Sequence, residues 1–306
     1  MSARVKGLLC AVLGPVLWGV SGNVAQWLFD SAHLRPDWLV AVRLLLAGCL
    51  LMIWCLATRR EETVALVHQP HLLIQALGFG VFGVVVSQFS YFTAVATSNA
   101  PTTTVLQYLG PLFIVLWLAL RTRSWPARID VISLIVAFVG IILLVTHGQL
   151  TKLALSPQGL FWGVAAGLGA ALYTLLPVHL LQQVSAPVVI AWAMLFAGIV
   201  MSPVLWLTQA PHLTVAIVGG IGYVTVFGTL FAYLLYLVSL QAVSPTVVGM
   251  LNVFEPLTAT VVAIIAFHAH FGIAEIVGGL LVLSTSFLQV LPHARRGVSA
   301  SVDKQD

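Results

Sequence analysis

The sequence predicts an all-α integral membrane protein of ten transmembrane helices, arranged as two inverted five-helix repeats around a central cavity. Composition is the first reason: hydrophobic residues make up 60% of the 306-residue chain, charged residues 7%, and the mean hydropathy is +1.06. Such a chain has too little polar surface to cover a soluble domain. The second reason is spacing, because polar breaks divide the chain into ten apolar stretches, each near the roughly 20 residues that a bilayer crossing needs. The third is duplication. Tyr91 to Pro111 reads YFTAVATSNAPTTTVLQYLGP and Tyr236 to Pro256 reads YLVSLQAVSPTVVGMLNVFEP.

A constant offset of 145 residues places Gly83 on Gly228, Tyr91 on Tyr236, Asn99 on Ser244, Pro111 on Pro256 and Asp130 on Glu275. Nearer the start of each half, Gly7-Leu8 matches Gly159-Leu160 and Ala47-Gly48 matches Ala197-Gly198, at offsets changed by loops of unequal length. A period this long describes a duplicated bundle and not a solenoid repeat. The halves are residues 1–146 and 158–292, with a joint at 147–157 and a tail at 293–306.

The first stretch, about 7–29, follows Arg4 and Lys6. Its basic start imitates a secretory signal, but it runs on to Phe29 and nine similar stretches follow, so it reads as an uncleaved helix. Arg35-Pro36-Asp37 leads into the second, 38–57, which stops at Arg59 to Glu62. The third, 72–95, is parted by Pro101 from the fourth, 102–120, and Arg121 to Arg128 precede the fifth, 128–146. Ser156-Pro157 opens the sixth, 158–181; Pro187 opens the seventh, 187–207; Pro211 opens the eighth, 212–239. Ser244-Pro245 opens the ninth, 245–267, and the tenth covers 272–291. Proline at these points fits, since it breaks a helix interior but is tolerated in a first turn.

Basic residues set the expected orientation, because short cytoplasmic loops hold the excess of Lys and Arg. An internal N-terminus puts Arg4, Lys6, Arg59, Arg60, Arg121, Arg123, Arg128, Arg295, Arg296 and Lys304 inside, and leaves only Arg35 and Lys152 outside. Ten spans then bring both termini to the cytoplasm and give the halves opposite topology. The net charge of +4 is membrane anchoring in this reading, with no nucleic-acid partner. Halves of opposite topology can gate alternately to either side of a site near the bilayer midplane.

With the ten spans in halves of five, Arg43 in the second span, and the Ser244-Pro245 and Glu255-Pro256 steps of the ninth, the chain resembles the drug/metabolite transporter superfamily. The resemblance is to its EamA-type members and covers residues 5–292. It implies a carrier of the bacterial cytoplasmic membrane, commonly an exporter of amino acids or other small metabolites, built as a ten-helix basket around a cavity. The family's Glu-Pro pair often occurs in both halves; here the first half has Gly110-Pro111, a departure from the pattern that a role shared between two carboxylates would need.

Two charged side chains, Arg43 and Glu255, fall inside apolar spans away from their ends. A mid-membrane charge costs at least about 2.5–3.5 kcal/mol and therefore faces a cavity or a partner. Glu255 reads as a protonatable or substrate-contacting group, or as a structural carboxyl holding the break at Pro256. Arg43 lies close enough to the outer end of its span for the stem to carry its charge to the headgroups; its other readings are a salt bridge to Glu255 and an anionic substrate contact. Pro111 and Pro256 mark equivalent breaks in the fourth and ninth helices, the sequence sign of a binding site between repeats. Gln107, Tyr108 and Asn252 lie within a turn of those prolines. Trp18, Tyr91, Tyr173, Tyr233 and Tyr236 sit inside spans, where their polar tips need partners; Trp18, Tyr91 and Tyr236 join the candidate site. Trp27, Trp38, Trp125 and Trp206 read as interfacial anchors, and Gly163-Gly167 with Gly278-Gly279 as close helix contacts.

The remaining features are bland. His268 and His270 form an isolated H-x-H, and Cys10, Cys49 and Cys55 read as apolar fillers, so no metal and no disulfide framework is expected. The chain has no phosphate-binding loop, no G-x-S-x-G and no H-E-x-x-H. It is therefore expected to be a non-enzyme and a secondary carrier without a cofactor, with a small-molecule substrate, the lipid bilayer as partner and protons as a candidate coupling ion, acting as monomer or homodimer. Its cavity is expected between the first, third, fourth, sixth, eighth and ninth helices. Uptake or exchange of an anionic metabolite through Arg43, and a non-transporting scaffold, are the alternatives.

Overall fold

A computed structural model describes residues 3–123, 128–147, 155–209, 211–243, 247–248, 251–285 and 288. The Ser244-Pro245 step, Lys152, Trp125, most of the 147–157 joint and the tail with Arg295, Arg296 and Lys304 lie outside them. All regular structure among the described residues is helical. We label ten helices: α1 Ala3–Ala32, α2 Pro36–Thr58, α3 Pro70–Thr97, α4 Ala100–Arg121, α5 Arg128–Thr146, α6 Pro157–Gln182, α7 Ala186–Leu207, α8 Val215–Tyr236, α9 Phe254–Phe267 and α10 Ile273–Thr285.

Among the described residues, seven helices are long and apolar enough to cross a membrane: α1, α2, α3, α4, α6, α7 and α8. The apolar parts of α5, α9 and α10 are shorter, Val131–Leu144, Phe254–Phe267 and Ile273–Thr285. The ninth helix thus starts later than its apolar run, because Pro256 cannot donate to a preceding turn and the chain turns at Asn252-Val253 before helix resumes. Large apolar side chains crowd the outside, among them Ile74 at 67%, Leu120 at 76%, Phe138 at 66% and Ile265 at 71% exposure. A surface of that kind is stable only against hydrocarbon.

Two helices carry π-helical segments, which the sequence reading did not foresee. α3 carries a π-helical segment at Phe79–Val85, and α8 one at Val226–Phe231 before continuing as Ala232–Ala242. With the 145-residue offset these segments nearly coincide, and single π turns mark functional sites more often than chance.

The packing interleaves the first and second halves of the chain. α1 lies against α8 and α9, whereas α6 lies against α3 and α4; α2 pairs with α7 along one side. Small residues set the distances. An added Cβ at Gly48 would stand 2.6 Å from the backbone nitrogen of Leu195, and one at Gly198 would stand 2.5 Å from the Cα of Leu45. A second pair of matched contacts joins Gly7 to Ala242 and Gly159 to Thr97, and a third joins Gly19 to the Glu255 backbone and Gly110 to Ala170 and Ala171. Without apolar drive between helices in lipid, such backbone approaches supply the dispersion contacts that hold a bundle. At one end, the Glu62 carboxylate accepts from the Ser185 amide at 2.6 Å and its hydroxyl at 2.7 Å, tying the α2–α3 connection to the start of α7.

Candidate functional site

The α4 break begins with an ordinary helix start: Asn99 caps it by accepting from the Thr102 amide at 2.8 Å. Pro111 lacks the N–H that the Gln107 carbonyl would otherwise receive. The chain answers by tightening, with Tyr108 N–H donating to Val105 and Leu109 N–H to Leu106 before Leu112 and Phe113 both donate to Leu109. Pro256 has the same effect in the second half. There Asn252 N–H donates to Val248, Glu255 N–H donates to Asn252 at 2.9 Å, and helix resumes at Phe254. Glu255 consequently occupies the first turn of α9, where the partial positive charge of a helix N-terminus favours a carboxylate.

α1 crosses this point at closest range. A Cβ on Gly19 would stand 2.5 Å from the Glu255 carbonyl oxygen, so only glycine brings α1 so near the break. One turn along, the buried Asn23 amide donates to the Gly19 carbonyl at 3.0 Å and to the Ala259 carbonyl at 2.9 Å. These two bonds fix which amide atom is nitrogen. They leave the Asn23 Oδ1 buried without a partner, as are the Asn252 Oδ1 and the Tyr108 hydroxyl. An unsatisfied buried polar atom costs about 1–3 kcal/mol and calls for an explanation.

Around Glu255 stand aromatic groups from both halves. Trp18 meets Tyr233 edge-on with centroids 5.2 Å apart and Tyr236 at 5.6 Å; Tyr173 lies 6.3 Å from Tyr233 and 5.2 Å from Phe79. Glu255 is within electrostatic reach of Tyr91, Tyr108 and Tyr233. Trp18, Gln107, Tyr108, Tyr233, Tyr236, Asn252 and Glu255 are all half-buried. Tyr91 is enclosed and shares a 3.1 Å hydrogen bond with Thr104. Among the described residues, no hydrogen bond or ion pair is made by the Glu255 carboxylate.

Arg43 is placed differently from a snorkelling residue. It is 4% exposed, its Nε and Nη2 donate to the Thr229 hydroxyl at 3.2 and 2.8 Å, and its guanidinium lies 4.5 Å from the centre of the Phe92 ring. Thr229 belongs to the π segment of α8 and donates in turn to the Val224 carbonyl. Among the described residues, no ion pair joins Arg43 to Glu255.

The structure thus gathers Trp18, Tyr108, Tyr236, Asn252 and Glu255 around the two breaks, with Gln107 on the same turn as Tyr108. Tyr91 and Arg43 form an adjoining buried network with Thr104, Phe92 and Thr229. Sequence reasoning missed Asn23, Tyr233's place beside Trp18, and Thr229. A lone asparagine between Gly22 and Val24 in an apolar span was a readable signal, since such residues need a hydrogen-bond partner in the membrane. His268, half of the H-x-H, closes α9 in the left-handed conformation at φ 50°, its N–H donating to Ala263. Among the described residues, no group of three or more His, Cys, Asp or Glu side chains is placed to hold a metal ion.

Comparison with known proteins gives a consistent family. The model of the EamA-like transporter family matches residues 5–146 and 157–291. The chain is 31% identical over 302 residues to an uncharacterized inner membrane transporter, YicL, of Salmonella typhimurium, covering 98% of this chain and 100% of that one. It is 26% identical to an uncharacterized transporter, YwfM, of Bacillus subtilis, covering 91% and 93% of the two chains. A solved crystal structure shares the fold with a TM-score of 0.59 at 16% identity, over 96% of this chain and 98% of that chain.

Proposed function

The chain belongs to the EamA-like transporter family, and from that premise we propose that it is a multi-pass inner-membrane secondary transporter exporting small metabolites of the amino-acid kind by alternating access. Its ten helices form two inverted repeats, and both termini face the cytoplasm. The matched contacts support the repeat: Gly48–Leu195 with Gly198–Leu45, Gly7–Ala242 with Gly159–Thr97, and Gly19–Glu255 with Gly110–Ala171 are each one contact written twice with the halves exchanged. The basic loops support the orientation.

The observation that carries the reading is Glu255, a carboxylate with no hydrogen bond or ion pair among the described residues, at a broken helix crossed by a helix of the other half. A charge held there without a protein partner is stabilised by substrate or by a proton, and both alternate as the halves rock. Glu255 is the coupling residue in this scheme, with Trp18, Tyr108, Tyr236 and Asn252 lining the path. Arg43 is enclosed at 4% exposure against Thr229 and Phe92, which favours a structural role for it over an anionic substrate contact.

The test compares metabolites inside and outside cells expressing the wild type or Glu255→Gln at equal membrane levels. A compound enriched in the medium only with the wild type is the expected result; identical profiles from the two strains would count against export through Glu255.

A further inference from the structure

The two sides of the proposed repeat are unequal at the crossing that matters. Where α1 presents Trp18, Gly19 and Asn23 to α9, the offset of 152 residues that aligns Gly7 with Gly159 puts Ala170, Ala171 and Leu175 at the matching places of α6. Where α9 presents Asn252 and Glu255, α4 presents Gln107 and Gly110. The restart of α4 is filled by its neighbour: a Cβ on Gly110 would stand 3.1 Å from Ala170 Cβ and 3.4 Å from the Gly167 carbonyl oxygen. The polar side chains of the matched pair of crossings are therefore concentrated where α1 meets α9, since Asn23 and Glu255 have Leu175 and Gly110 as their counterparts.

With the unpartnered Tyr108 hydroxyl beside them as a donor, that crossing holds three free acceptors among the described residues. They are the Glu255 carboxylate, and the amide oxygens of Asn23 and Asn252, both buried and without donors; the two bonds from the Asn23 amide nitrogen fix its oxygen as the free atom. Beside them stand the faces and edges of Trp18, Tyr233 and Tyr236. Among the described residues the buried cation nearby is Arg43, which is 4% exposed and held in the adjoining network by Thr229 and Phe92 instead of standing at this crossing. A negative charge with two further acceptors matches an N–H-bearing cation. An aromatic wall adds cation–π attraction and apolar contact for the rest of the molecule.

Resting on the transporter reading and replacing amino acids as its cargo, we propose that the substrate is a primary amine lacking a carboxylate. Its ammonium is held by Glu255, Asn23 and Asn252, and its apolar body lies against Trp18 and Tyr233. A zwitterionic amino acid of the same shape brings its carboxylate, two bonds from the ammonium nitrogen, close to the Glu255 carboxylate, and that like-charge contact disfavours it.

Phenethylammonium and phenylalanine differ by that carboxylate only, and hydrocinnamate carries the anion without the amine. Binding of each to the purified full-length protein in nanodiscs is read by calorimetry and by thermal unfolding. Phenethylammonium is expected to bind at least tenfold tighter than phenylalanine, with no detectable binding of hydrocinnamate. Glu255→Gln is expected to weaken it at least tenfold. Trp18→Leu is expected to weaken it roughly three- to thirtyfold, and Trp18→Phe by less. Unliganded melting temperatures show that each variant is folded; Asn252→Leu, which loses no side-chain hydrogen bond among the described residues, is a further variant and is expected to weaken the amine several-fold. Phenylalanine binding as tightly as the amine, unchanged affinity in folded Glu255→Gln, or no binding of the amine to the wild type would each overturn the proposal. Because binding needs no gradient, a protein that binds the amine but moves nothing refutes transport alone, whereas a working exporter that prefers phenylalanine refutes the amine alone.

Discussion

Arg43 and Thr229 show how a single side chain is made tolerable in a membrane. A guanidinium enclosed at 4% exposure is costly unless its donors are met, and here one hydroxyl meets two of them while a ring face meets the plane. Thr229→Val keeps the volume and removes the acceptor. It is expected to lower the unfolding free energy in detergent by about 1.5–3 kcal/mol, the range for hydrogen bonds to charged groups; an unchanged denaturation midpoint would mean that Arg43 is held by something else. At this scale the sequence was partly legible. Glu255 and Arg43 stood out as charges inside apolar runs. The direction in which Arg43 points did not, because a stem of that length reaches inward or outward equally well, and only the position of Thr229 on a neighbouring helix decides.

Among elements, α2 and α7 make the least forgiving contact. At Gly48 and Gly198 the facing atoms are backbone, at 2.6 and 2.5 Å from an added Cβ, and backbone cannot turn aside as a side chain can. Gly48→Val and Gly198→Val are therefore expected to abolish the folded monomodal peak on size-exclusion chromatography in detergent. By contrast, Gly78 and Gly219, also helical, have nothing within 4 Å; alanine there is expected to be neutral or to stabilise by about 0.5–1 kcal/mol, raising the melting temperature. Elements were legible to the extent that hydropathy marks them. Their interruptions were legible where proline caused them, as at Pro111 and Pro256. The π segments of α3 and α8 were not, because no residue type compels an extra residue in a turn, and the glycines within them serve packing as well.

For the molecule as a whole, the interleaving of α1 with α8 and α9, and of α6 with α3 and α4, means that neither half encloses the site by itself. The proposed topology puts the Arg59 to Glu62 connection inside and Arg35 outside. Single cysteines at Glu61 and at Arg35, in a chain with Cys10, Cys49 and Cys55 replaced by alanine, test it with a membrane-impermeant maleimide on intact cells. Labelling at position 35 and none at 61 until the membrane is opened is expected, and the reverse pattern would invert the assignment.

What the sequence determined by itself is membership and matter: a chain at 60% hydrophobic residues must be covered by lipid, runs of about 20 apolar residues must cross it as helices, and a sequence written twice must build two like units. These are local or compositional constraints, readable without knowing what touches what. Tertiary structure alone decided the site. That Asn23 staples α1 to α9, that Trp18 reaches Tyr233 and Tyr236, and that Arg43 is consumed by Thr229 depend on the rotation and depth of each helix about its axis. Nearly uniform hydrophobicity leaves those rotations without a signal, since a helix apolar on every side has no face that its sequence prefers to bury.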